Sequence, residues 1–108
     1  MKLRRDIYQA IADPTRRSIL ALLASQTMTA GAIANNFDAS RPTISKHIQI
    51  LNECELIESN KKGREIYYQI KIEKINEIDI WVNQLRGRWE DRFSNLDNYL
   101  NKIQKEGK

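Results

Sequence analysis

Five residues within nine positions, Arg41, Thr43, Ser45, Lys46 and Gln49, carry guanidinium, hydroxyl, ammonium and carboxamide groups. No carboxylate lies among them. Groups of these types bond the edges of bases and the oxygens of phosphates. A second cluster, Lys61, Lys62 and Arg64, surrounds Gly63, a residue suited to a turn. Three cations at a loop tip can reach the backbone of a polyanion. The distribution of charge agrees. The chain carries +4 at neutral pH; residues 1–72 hold 11 Lys/Arg against 7 Asp/Glu, and residues 73–108 hold 7 of each. The whole basic excess lies in the first two thirds, which is where an anionic partner should meet the chain.

Other chemistries fail on inventory. Cys54 is the only cysteine and His47 the only histidine. An internal disulfide is excluded, and a tetrahedral zinc site wants four ligands. On one helix, His47 and Cys54 would stand about 10 Å apart along the axis, too far to share an ion. Gly31, Gly63, Gly87 and Gly107 are isolated, so no loop can cradle a phosphate group. A lone histidine without an acid at a fixed spacing makes no triad. The expectation is no enzyme, no cofactor and no metal. The longest apolar run, residues 19–24, falls far short of the roughly 20 residues that span a bilayer. No charged start precedes a hydrophobic stretch, so no signal peptide and a cytoplasmic location are expected.

Elements must position these groups. A length of 108 residues predicts one domain, 1–108. A first helix is expected over about 3–12, with Ile7 and Ile11 on one face. Asp13-Pro14 stops it and starts the next, since Asp accepts from a free N–H and Pro loses nothing at the first helical position. That second helix runs to about Ser25. Thr29 can cap a short third helix, 30–36, with Ile33, Ala34 and Phe37 inward. Ser40 can cap a fourth, with Pro42 in its first turn, running to about Glu53. Its buried stripe is Ile44, Ile48 and Leu51. At 100° per residue Lys46 and Gln49 then point away, Thr43 and Ser45 flank them, and Arg41 joins the outer N-terminal part. Ile50 points partly outward and has no evident place. His47 lies at the flank of the stripe, as a packed imidazole or as a phosphate or base contact; Cys54 is expected to be packed.

The period then changes. Residues 56–59 suit a strand, 60–63 a turn, and 66–70 a half-buried strand, because Ile66, Tyr68 and Ile70 alternate. This hairpin, about 56–70, has a basic tip. From about 73 to 105 the helical period returns. Ile75, Ile78, Val82, Leu85, Trp89, Phe93, Leu96, Leu100 and Ile103 are spaced three and four apart throughout. Thirty such residues make a helix of about 45 Å, longer than a core drawn from about 70 residues can cover. The stripe folds back, with Gly87 as a candidate bend, or meets a second copy of the chain; the second is preferred. The expected interface is Ile7, Ile11, Ile78, Val82, Leu85, Trp89, Phe93, Leu96 and Leu100. Trp81, Trp89, Phe93 and Tyr99 could instead line a pocket for an apolar effector, of unknown identity, although their spacing follows the seam.

The order predicts a mainly α (α+β) fold: a winged helix-turn-helix with a two-stranded β-hairpin wing and a long C-terminal dimerisation helix. The helix-turn-helix occupies about 29–53. A helix fits the major groove of B-DNA, and a hairpin tip reaches the flanking backbone. Three segments, residues 10–20 (AIADPTRRSIL), 40–51 (SRPTISKHIQIL) and 62–68 (KGREIYY), resemble the ArsR/SmtB family of winged-helix repressors. The stretch from Trp81 to Trp89-Glu90-Asp91-Arg92 is similar to the SdpR-like autorepressor subgroup, which lacks metal sites. The third helix here has no Cys and the last helix no His, as that subgroup would require. The resemblance covers nearly the whole chain. It implies a homodimeric repressor on an operator of two half-sites, with Ser40, Arg41, Thr43, Ser45, Lys46, Lys61, Lys62 and Arg64 contacting double-stranded DNA; Gln49 joins them from helix geometry. The alternative is a winged-helix protein-interaction module, which would more often carry apolar or acidic residues at these positions.

Overall fold

The computed structural model describes residues 6–106. Its elements are α1 (Ile7–Ile11), α2 (Pro14–Ser25), β1 (Met28–Thr29), α3 (Ala30–Ala34), α4 (Arg41–Glu53), β2 (Ile57–Lys62), β3 (Glu65–Ile70) and α5 (Ile72–Glu106). They group into two compact units, which divide after Asn76. The fold is a winged helix-turn-helix, mostly helical, with an antiparallel sheet.

Local chemistry sets most boundaries. Asp6 is extended and caps α1, its carboxylate accepting from the backbone N–H of Gln9 while the Gln9 side chain accepts from that of Asp6. The helix therefore begins at Ile7; the part of the first predicted helix over residues 3–5 lies outside the described residues. Asp13 caps α2 through the Arg16 N–H, with Pro14 in the first position. Thr29 caps α3 and Ser40 caps α4 in the same way, through the N–H groups of Ala32 and Thr43. The third helix ends at Ala34, two residues short of the expected end, because Asn36 and Phe37 close it with tighter i to i−3 backbone bonds to Ile33 and Ala34.

The end of α4 has a feature that no glycine in the sequence announces. Glu55 takes φ +61°, the left-handed conformation usually left to glycine. It sits at the C′ position of a Schellman motif: the Leu56 N–H bonds Leu51 O and the Glu55 N–H bonds Asn52 O. The Glu55 carboxylate reaches Lys71 at 3.4 Å and Lys74 at 3.8 Å, at the root of α5.

The sheet is three-stranded, in the order β1-β3-β2, whereas the sequence pattern predicts a two-stranded hairpin. Met28 pairs with Tyr68 and Thr29 with Tyr67. Two residues are too few to show a period, and their partners lie about forty positions on, so no local signal marks β1. The predicted turn over 60–63 also shifts. Asn60, Lys61 and Lys62 pair with Tyr67, Ile66 and Glu65, leaving a two-residue loop of Gly63-Arg64. Gly63 takes φ +63° and Arg64 a negative φ, the pattern of a type II′ turn, which follows the strand twist.

The core lies in the unit up to Asn76. Ile19, Ile33, Ile44, Leu51, Leu56 and Ile57 are fully buried. Ile50, without a place in the helical projection, is buried too. It stands three residues after His47 and four before the buried Cys54, so the apolar face of α4 is wider than its three-residue stripe. Ile66 departs the other way. The alternation predicts a half-buried residue, but it is exposed near the hairpin tip. Of the two α1 residues expected at the interface, Ile7 packs into the core of its own chain and Ile11 is half-buried.

In the second unit, α5 is helical without interruption through Gly87. Ile78 is half-buried, and Val82, Leu85, Trp89, Phe93, Leu96 and Leu100 are each between 37% and 55% exposed. Trp89 and Phe93 meet edge to face, with ring centroids 4.6 Å apart. Among the described residues, no helix is long and apolar enough to cross a membrane.

Candidate nucleic-acid interface

All nine candidate contact residues, Ser40, Arg41, Thr43, Ser45, Lys46, Gln49, Lys61, Lys62 and Arg64, are exposed. They lie in the unit that carries the core, on α4, its cap and the β2–β3 hairpin. Among the described residues, no salt bridge neutralises any of the five cations. The charge is thus available to an external anion.

The side chains are not equally free. The Ser40 hydroxyl accepts from the Thr43 N–H at 3.3 Å and lies 2.8 Å from the Thr43 hydroxyl, so this pair is partly committed to capping α4. Gln49 donates through Nε2 to Glu53 Oε1 at 3.1 Å. Lys62 places Nζ 5.7 Å from the centre of the Tyr67 ring, a cation–π contact that holds the ammonium beside the strand. The Tyr67 hydroxyl donates to Glu65 Oε2 at 2.8 Å, and this bond and the carboxylate charge raise the phenol above its ordinary pKa. Ser45 and Lys46 stand on the outer face of α4.

Arg41 departs from the expected outer face. It precedes Ile44 by three residues and Ile48 by seven, which puts it on the same side of α4 as the buried stripe. Its guanidinium lies over Gly31 in α3, where an added Cβ would stand 3.4 to 3.8 Å from three of its atoms. In the sequence Gly31 stands only as an isolated glycine. A glycine inside a short helix does signal close approach of another group, and that signal could have found this seat.

A second group positions α4. Arg16 of α2 donates through Nε to Ala10 O at 2.7 Å and through one terminal nitrogen to Gln9 O at 3.1 Å. Its other terminal nitrogen meets His47 Nδ1 at 3.2 Å. Arg17 donates to Ile11 O at 2.6 Å. The two arginines close the carbonyl end of α1, and Arg16 ties that end to α4. His47 is half-buried and packed against this group, with Nδ1 3.9 Å from Asp13 Oδ2. An arginine can only donate, so Nδ1 accepts and the ring proton belongs on Nε2. Burial opposes ionisation of Asp13, but the bond from the Arg16 backbone N–H, the positive charge that His47 carries when protonated and the charge of Arg16 outweigh it and hold its carboxyl below the ordinary value. Nothing in the local sequence announces this cluster, because its members come from three elements. Among the described residues, no three His, Cys, Asp or Glu side chains group as metal ligands.

A short helix and its successor, joined by a tight turn and followed by a basic hairpin, have counterparts among known proteins. A helix-turn-helix domain profile matches residues 11–60. The chain is 43% identical over 77 residues to the transcriptional repressor SdpR of Bacillus subtilis, an alignment that covers 71% of this chain and 86% of that protein. The crystal structure of an ArsR family transcriptional regulator, RHA00566, is 34% identical with a TM-score of 0.72, over 78% of this chain and 92% of that one. The chain belongs to the ArsR/SmtB family. An ArsR-like transcriptional regulator from Rhodococcus sp. RHA1 superposes over 89% of this chain and 88% of that one, with a TM-score of 0.79 at 29% identity. Like other ArsR/SmtB members, the chain is a DNA-binding transcriptional regulator and not an enzyme. In this family setting, α3 and α4 are the helix-turn-helix and the β2–β3 hairpin is the wing.

Proposed function

We propose that the protein is a cytoplasmic, homodimeric transcriptional repressor that binds an inverted-repeat operator in double-stranded DNA. The observation that carries this reading is the pairing of two exposed surfaces. Exposed cations, none in a salt bridge among the described residues, stand on α4 and the wing, and an uncovered apolar stripe runs along α5. The first fits a polyanion, and the second fits a copy of itself. Lys46 and Ser45 read base edges from α4, with Thr43 and Gln49 beside them. Lys61, Lys62 and Arg64 hold backbone phosphates from the wing. Val82, Leu85, Trp89, Phe93, Leu96 and Leu100 form the dimer seam, with Ile78 at its edge. The relative SdpR is itself named a repressor, which favours the same sign of regulation here.

Twofold symmetry of a dimer implies half-sites about one helical turn apart, roughly 10 base pairs or a multiple of it. The test is selection of bound duplexes from a random pool, with light scattering on the free protein and the complex. An inverted repeat bound by two chains is expected. Failure to enrich any duplex, or a single chain on a single half-site, would sink the reading.

A further inference from the structure

The cleft between α3, the first turn of α4 and the wing has a volume of about 410 Å³. It gathers Arg41 and Arg64, which lie 23 positions apart in the chain. Arg41 opens α4, and Arg64 is the second residue of the wing loop. We propose that these two guanidinium groups clamp one and the same phosphodiester of the DNA backbone, so that helix and wing are held to a common phosphate. The proposal rests on the DNA-binding reading above and deepens it.

Three observations support the clamp. First, the Arg41 guanidinium lies over the backbone at Gly31, with Nη1, Cζ and Nη2 at 3.4, 3.7 and 3.8 Å from the position of an added Cβ. Near-equal distances mean that the face of the group rests on α3. Guanidinium N–H bonds lie in its plane, so the donor edge stays open toward the cleft. Second, the charge balance favours an anion. Among the described residues lining the cleft, one carboxylate, Glu65, faces two arginines, and its Oε2 already accepts from Tyr67. Third, Ile66 lines the same cleft and is 47% exposed. A large apolar side chain beside two cations suits a phosphodiester better than a free anion, because the deoxyribose next to the phosphate would cover it. Arg41 is then an anchor to the backbone and not a reader of bases.

The test uses the full chain, the selected operator and an unrelated duplex. Arg41→Ala, Arg64→Ala and the double variant are compared, with thermal melts to show that each folds. Each single change should weaken binding to both duplexes by a similar factor, at least about tenfold, the scale of one charge-assisted hydrogen bond. The double variant should lose less than the product of the two factors, because the partners share one ligand. Neutral methylphosphonate linkages placed one at a time along a half-site should reveal one position that weakens the wild type most, weakens each single variant less and leaves the double variant unmoved. Losses that multiply, a reduced effect at different positions for the two single variants, or an Arg41→Ala loss confined to the operator would each overturn the clamp while DNA binding stands. Inorganic phosphate, added at constant ionic strength, should displace DNA from the wild type no better than chloride. Selective displacement that vanishes in Arg41→Ala would overturn the clamp by assigning the cleft to a free anion. No binding of any duplex by the wild type would overturn the clamp and the function together.

Discussion

The two units of this chain solve the hydrophobic problem differently. Up to Asn76, six large aliphatic side chains among the described residues are completely buried. From Glu77 on, only Ile78 and Gly87 are even half-buried among the described residues. The apolar content of the second unit is not lower in kind: Trp89, Phe93, Leu96 and Leu100 are as large as anything in the core. What differs is dimensionality. Short helices and a sheet turn their faces toward one another, whereas a single helix has no second layer of its own. A 35-residue helix also extends about 52 Å, beyond the reach of a small core. A stripe so exposed is the mark of a surface made for another chain.

The largest expected effect tests this contrast directly. Replacing Trp89 and Phe93 together by Asp should weaken self-association by at least about a hundredfold, from roughly 1.5–3 kcal/mol per large side chain. Sedimentation over a dilution series would measure it. The wild type should also melt higher as protein concentration rises, and the double variant should not. By comparison, Leu51→Ala in the first unit should cost about 2–5 kcal/mol in urea unfolding through the cavity it leaves. If the Trp89/Phe93 variant remained a dimer, the contrast between the units would collapse.

The next effect sharpens the division within the first unit. Lys46→Ala should cost about 1–3 kcal/mol on the operator and much less on unrelated DNA, as expected for a base contact. Lys61→Ala with Lys62→Ala should weaken both duplexes alike and lower the slope of log K against log salt by about 1 for each phosphate that the variant no longer neutralises. Salt titrations of both variants on both duplexes decide it. The reverse pattern would exchange reader and anchor.

Smaller effects probe what holds the first unit together. Asp13→Ala should remove the α2 cap and cost about 1 kcal/mol. Because the folded carboxyl titrates below its ordinary value of 3.8, its contribution is complete above that value and is lost as the pH falls through the lower folded value. Urea midpoints should therefore separate wild type from Asp13→Ala above about pH 4 and converge below it. The smallest effect has the opposite sign. Glu55→Gly relieves a left-handed backbone worth about 1 kcal/mol and gives up only exposed ion pairs to Lys71 and Lys74. A thermal melt should show a gain of up to about 1 kcal/mol. A clear loss would mean that the ties from Glu55 to the root of α5 matter more than the strain.

What the sequence determined by itself was local. Asp13-Pro14, Thr29 and Ser40 fix three helix starts, because a cap and the N–H it bonds are three residues apart. The three-and-four spacing from Ile75 to Ile103 announces a helix and its apolar face, because that period is a property of one element. The basic residues of α4 and the wing were legible as a surface for the same reason. Tertiary structure decided whatever joins distant segments. Met28–Thr29 becomes a strand only because β3 offers an edge about forty residues later. Ile50 is buried because its flank of α4 meets the rest of the core, which a helical projection does not contain. Arg16 holds His47 across 31 positions, and Arg41 comes to rest on Gly31 and lines one cleft with Arg64. Each of these meetings depends on where two elements cross, and a crossing is set by the packing of whole faces, which no short window of residues encodes.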